Sequence, residues 1–241
     1  MNRPFTVLLV LACTVGLTGA TPDYLARSLR DFPRRNLPED LSYETEVVRN
    51  GHRTRERHDP TRPAGEQWVL LEFAGRAPTA DEIARHRVTR AKGGRSATFQ
   101  TDFSPTQIDR GSLRLEQESE DTVVFTGGFT EDAASNDALL GRMSLRLTVD
   151  KRRGEITAYE LRLPRPYSPV LGVKITELVA GVEFHRPAGF GLSLPRRTWS
   201  HFKGRIFFSS TLEDLEVRYA AYRRMPADIP ARAAAGGERG H

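Results

Sequence analysis

The chain has 241 residues, with 36 Lys+Arg against 31 Asp+Glu, a formal net charge of +5, and arginine at 32 of its 36 cationic positions. Acids and bases are interspersed without a long single-sign block, so the charge implies no nucleic-acid partner. The one cysteine, Cys13, lies in a segment expected to be removed, which excludes disulfides, thiolate catalysis and Cys-zinc sites from the remaining chain.

Asn2 and Arg3 make a short positive start, residues 5–17 (FTVLLVLACTVGL) form an apolar run, and Thr18, Gly19 and Ala20 supply small residues for a peptidase. This pattern is that of a secretory signal, and the run is too short to span a bilayer as a helix. Cleavage after Ala20 places the protein in the periplasm. An alternative reading takes Val10-Leu11-Ala12-Cys13 as a lipobox, which would acylate Cys13 and anchor the chain to a membrane.

Residues 21–32 predict a short helix: Thr21 can cap it, Pro22 suits its first turn, and Leu25, Leu29 and Phe32 share one stripe. From Leu41 the pattern becomes β. A strand to Arg49 leads through Asn50-Gly51, a type I′ hairpin signal, into the return strand 52–58 (HRTRERH). That return strand has almost no apolar residue and predicts an edge or a projecting, solvated flap, with His58 at a solvated end. Residues 68–73 (WVLLEF) predict a third strand. A capping box of Thr79 and Glu82 opens a second helix, whose expected packing stripe is Ala80, Ile83, Ala84, Arg87, Val88 and Ala91. The polar stretch 92–104 predicts a mobile loop.

The remainder predicts an antiparallel meander. Leu113 and Leu115, the run 123–129, Met143 to Val149, and residues 156–163 alternate or run apolar between turns at Glu120-Asp121 and 150–154. Segments 173–184, 198–209 and 215–222 complete roughly ten strands. Such alternation packs one face and leaves the other to water. The predicted organisation is a signal peptide at 1–20, one domain at 21–225, and a disordered tail rich in Ala, Gly and Pro at 226–241.

No motif identifies an enzyme. The six histidines (52, 58, 86, 185, 201 and 241) show no HExxH spacing. There is no GxSxG elbow, and Gly189-Phe190-Gly191 lacks a third glycine at dinucleotide-loop spacing. The reading includes no metal and no cofactor.

Two segments carry a family resemblance. Residues 68–79 (WVLLEFAGRAPT) form a strand–turn–helix unit, and 203–208 (KGRIFF) with 216–223 (EVRYAAYR) form a closing pair of strands. With the signal segment and short helix, they resemble the LolA-like group of bacterial envelope proteins, which includes the outer-membrane lipoprotein carrier and an envelope sensor. The resemblance implies a mainly β (α+β) fold: a single open, curved antiparallel sheet, a half-barrel, with short helices on its concave face. It implies a non-enzymatic protein binding lipid, acyl chains or lipid-modified proteins in an apolar cleft. The candidate cleft residues are Trp68, Phe125, Leu145, Leu147, Tyr159, Leu161, Phe184, Phe202 and Phe208. The arginine-rich hairpin and the long polar loop depart from the carrier, so the ligand need not be a lipoprotein. The alternatives are an envelope sensor acting on an inner- or outer-membrane protein partner, and an envelope hydrolase without a local motif.

Overall fold

Period-2 alternation dictates most of the architecture. The structure, a computed structural model, describes residues 22–33, 37–63, 65–91 and 103–226. The expected signal segment, residues 92–102 of the expected loop, and 227–241 of the expected tail lie outside the described residues. Ten strands form: β1 Leu41–Arg49, β2 His52–His58, β3 Trp68–Phe73, β4 Arg114–Glu118, β5 Thr122–Gly127, β6 Ser144–Asp150, β7 Glu155–Arg162, β8 Val173–His185, β9 Leu194–Ile206 and β10 Ser209–Arg224. Three helices accompany them: α1 Asp23–Arg30, α2 Ala80–Ala91 and α3 Glu131–Asn136. All ten strands lie in one antiparallel sheet, ordered β3-β2-β1-β10-β9-β8-β7-β6-β5-β4. β3 and β4 are its two edges and the sheet stays open.

Register assigns every side chain to a face. Directly opposed residues point the same way. One row therefore crosses the sheet as Leu115, Phe125, Leu147, Tyr159, Val182, Thr198, Val217, Val47, Thr54 and Phe73. This inner face carries the main core. Leu25 and Leu29 of α1 pack there with Phe125, Leu145, Leu147 and Tyr159. At the other end α2 packs on β3, and its Arg90 pairs with the inner-face residue Glu56 of β2. Both helices thus cover the same face of the sheet.

The outer face is a lattice of charge. Its matching row reads Glu183, Arg197, Arg218, Glu46, Arg55 and Glu72 from β8 to β3. Arg197 pairs with Glu216 at 3.0 Å and Arg53 with Glu46 at 2.8 Å. Trp199 lies flat on this face because Gly181 opposes it; any side chain at 181 would overlap the indole.

Two sequence expectations about local structure change. The hairpin 42–58 does not project. The Asn50-Gly51 turn forms with both residues at positive φ, but β2 sits inside the sheet between β1 and β3. Its arginines need no apolar partner, because they point to the outer face beside Glu44, Glu46 and Glu72. The second change is at the C-terminal hairpin. Sequence carries the strand 198–209 through both phenylalanines, whereas the chain reverses at Phe207 and Phe208, with Phe207 at φ +51°.

The outer-face placement gives an expected result for Arg53 and Arg55. Their side chains are 48% and 43% exposed, and ion pairs at that exposure each stabilise by about 1 kcal/mol or less. Replacing both by serine should shift the unfolding free energy by roughly 1 kcal/mol, read by urea denaturation. A loss of several kcal/mol would show the lattice acting as one cooperative network.

Candidate functional site

The inner face holds two side-chain clusters under its two helices. Beneath α1, strands β5 to β8 contribute Phe125, Leu145, Leu147, Tyr159, Leu161 and Phe184, all buried. Two loop aromatics that the strand pattern does not reveal join them. Phe103 packs edge-on against Tyr159 at 5.2 Å and against Phe32 at 5.6 Å between ring centres. Such edge-to-face contacts add to the burial of the rings themselves. Helix α1 exists because of this surface. Eight residues are too few for an isolated helix, and its buried residues are Leu25, Ser28 and Leu29. The Ser28 hydroxyl donates to the carbonyl of Tyr24, so its burial leaves no orphan group.

Beneath α2 the chemistry is polar. Glu56 is 6% exposed. Its carboxylate accepts a charge-assisted hydrogen bond from Arg90 and lies 3.2 Å from His86 Nε2, an ion-pair distance off the line of a ring N–H bond. Burial opposes ionisation of Glu56, but His86 and Arg90 outweigh it and hold the carboxyl below its usual range. The Arg90 guanidinium also stacks on Trp68, 4.2 Å from the ring centre. His58 lies 5.1 Å from Trp68 and 5.0 Å from Tyr43 between ring centres. Its Nδ1 lies 3.0 Å from the Leu41 carbonyl. His58 is therefore packed among aromatics and not a solvated strand end; burial lowers its pKa, and burial likewise pushes the Tyr43 phenol up.

Helix α2 reaches this cluster through a face that hydropathy does not predict. Ile83, His86 and Arg90, at i, i+3 and i+7, are its half-buried residues toward the sheet, while Ala80, Ala84, Arg87, Val88 and Ala91 are exposed. Its start follows the sequence: Glu82 N donates to Thr79 Oγ1 and Thr79 N donates to Glu82 Oε2 at 2.8 Å. The Arg76 guanidinium grips Glu82 as well, and together they hold its carboxyl down at about 2.

The nine candidate cleft residues do not form one group. Phe125, Leu145, Leu147, Tyr159, Leu161 and Phe184 belong to the main cluster, and Phe202 packs against it. Trp68 belongs to the second cluster with Leu41, Tyr43 and Leu194. It is five strands from Phe184 in the sheet order. Phe208 lies in neither cluster: it is fully exposed at the β9–β10 turn. Between the clusters run the buried hydroxyl residues Thr45, Thr198 and Ser200. The Oγ1 atoms of Thr45 and Thr198 have no hydrogen-bond partner among the described residues.

Sequence reasoning misses Glu56, His86 and Arg90. The available signal is register: Glu56 shares the inward parity of Thr54 and His58, and an acid placed inward must meet a cation or lose its charge. Chemically this trio is a clasp. A carboxylate held ionised beside Arg90 and His86 is a poor general acid. Among the described residues, no group of three or more His, Cys, Asp or Glu side chains could hold a metal ion, and no helix is long and apolar enough to cross a membrane.

A shallow groove of about 240 Å³ lies on the outer face, lined by Asn50, Trp199, His201, Asp214 and Glu216 among others. His201 Nδ1 is 2.6 Å from Asp214 and Nε2 is 3.4 Å from Glu177. The hydrogen bond that Asp214 accepts from the imidazole raises the His201 pKa, with Glu177 adding to it.

No family model matches the chain, and no curated protein does. Among solved structures, an isomerase-inactive variant of GphF DH1 aligns over 85% of this chain and 81% of its own, at 10% identity and a TM-score of 0.17. A similarity at that level transfers neither fold nor activity.

Proposed function

We propose that the chain is a non-enzymatic envelope protein that holds an acyl chain, a lipid or a lipid-modified protein against the inner face of its sheet. The observation that carries this reading is α1. It is a helix of eight residues whose apolar hold on the sheet is Leu25 and Leu29 with the partly buried Tyr24, set into a surface of Phe125, Leu147 and Tyr159. An element that small is held by what it covers, and an acyl chain presents the same methyl and methylene chemistry. Eight buried methylenes would supply roughly 6 kcal/mol before ordering costs. Export to the periplasm rests on residues 1–20, and the class of ligand rests on the LolA-like resemblance of the strand segments.

The test uses a fluorescent fatty acid titrated into the full chain. The wild type should bind saturably. Leu29→Ala should bind more tightly, because the helix and the ligand compete for one surface. Absence of binding to both proteins, or equal binding by both, would remove the support for α1 as a displaceable plug.

A further inference from the structure

We infer that the end of the sheet formed by the β9–β10 turn and the β7–β8 loop docks onto an anionic phospholipid bilayer. Six large apolar side chains are exposed there: Val170, Leu171, Ile206, Phe207, Phe208 and Leu212, with Leu171 at 97% and Phe208 at 101% of full exposure. They come from two segments that the fold laces together. Phe207 N donates to the Gly172 carbonyl at 2.6 Å, Val173 opposes Ile206, and Gly172 leaves the space that the Phe207 ring fills. An apolar cluster of this kind in water marks an interaction surface.

The turn itself is built against local preference. Phe207 has φ +51°, a conformation in which glycine or asparagine is usual and a bulky side chain is strained. Strain of this type persists where surrounding structure enforces it, often at a functional position. Here the ladder above and the Gly172 contact enforce it, and the result is two adjacent phenylalanines at the apex.

Charge identifies the occupant. Residues 163–176 and 202–212 contain no Asp or Glu, although the chain holds 31 acids. Three cations border the apex: Lys174 and Arg205, which oppose each other across β8 and β9, and Arg165 in the same loop as Leu171. All three are exposed, and none is paired with an acid among the described residues. An apolar tip inside an acid-free cationic collar matches acyl chains beneath phosphate headgroups: the tip enters the headgroup boundary and the collar meets the phosphates.

Flotation of the full chain with intact vesicles tests the inference. Vesicles of phosphatidylethanolamine with phosphatidylglycerol should carry the protein up, and vesicles of phosphatidylcholine alone should carry much less. Binding should weaken as salt rises. Leu171→Ser with Phe208→Ser should reduce binding at least about tenfold. Both positions are almost fully exposed, so the fold should persist, as circular dichroism will verify. Lys174→Ser with Arg205→Ser should reduce binding to the anionic vesicles roughly tenfold and abolish the preference for them. Phe208→Trp should show a blue-shifted emission on adding anionic vesicles. Leu29→Ala, the plug variant, should float like the wild type, which separates this surface from acyl binding on the inner face. The inference is overturned if the wild type ignores anionic vesicles, if the serine double variant floats equally well, or if Leu29→Ala alters flotation. Capture of a protein through Leu171 and Phe208 by a wild type that ignores vesicles would also overturn it, in favour of a protein interface.

Discussion

Leu147→Asn should cost about 4 kcal/mol of unfolding free energy, a large fraction of what a domain of this size has to lose. Leu147 is completely buried, opposed by Phe125 on one side and Tyr159 on the other. The substitution removes apolar volume and strands an amide where its neighbours are hydrocarbon, so the cavity and desolvation penalties act together. Arg146→Asn is the control one residue away. Arg146 lies on the outer face with Glu116 at 3.0 Å, and both side chains are about 40% exposed, so its loss should cost about 1 kcal/mol or less. Urea denaturation of both variants reads the difference. Equal midpoints would mean that the β6 register is wrong. If Leu147→Asn remains folded, it should also weaken binding of a fatty-acid probe, and Arg146→Asn should not.

Glu56→Gln should destabilise by about 3 kcal/mol, because it takes the buried carboxylate from the Arg90 guanidinium, which is itself only 11% exposed, and from the His86 ring beside it. The pH dependence has a fixed sign. The Glu56 carboxyl is held below its ordinary value of 4.5 in the folded protein. Its stabilisation is therefore fully present above that value and is lost as pH falls through the lower, folded pKa. The gap between wild type and Glu56→Gln should shrink on acidification below about pH 4. A gap that is constant down to pH 2, or absent throughout, would show that Glu56 does not clasp α2 as an ion.

The strands with an apolar face were legible because their chemistry is written at period 2. Leu145, Leu147 and Val149 alternate with Ser144, Arg146 and Thr148, and all three apolar residues are buried. The sequence reading fails where the buried partner is charged. HRTRERH has no apolar face, so it reads as a flap, yet Glu56 is buried because α2 delivers His86 and Arg90 to it. The stripe on α2 fails for the same reason: hydropathy selects Val88, which is 53% exposed, and cannot select the histidine and arginine that have an acid to meet. The C-terminal turn fails in the opposite sense. The segment 198–209 reads as one strand, whereas the chain turns at its two phenylalanines. Of the nine cleft candidates, the six in the main cluster lie in segments that alternate or run apolar. Phe208 lies beyond β9, which ends at Ile206.

The pairing of β1 with β10 has a consequence for how the molecule assembles. Strands β1 to β3 are neighbours in sequence, and so are β4 to β10. Each set can zip by short loops, but the two sets meet only along one ladder, in which Leu41 opposes Arg224 and Arg49 opposes Leu215. That ladder spans most of the chain, and closing so long a loop is slow compared with forming a hairpin. The first three strands emerge first and must wait for the last. During that interval Val47 and Tyr43 face solvent, and β1 offers an unpaired backbone edge to any other strand nearby. The clasp between Glu56, His86 and Arg90 lies entirely within the early set. It gives those strands a local contact that does not depend on β10, so the waiting half of the sheet has its own means of holding register until the final strand arrives.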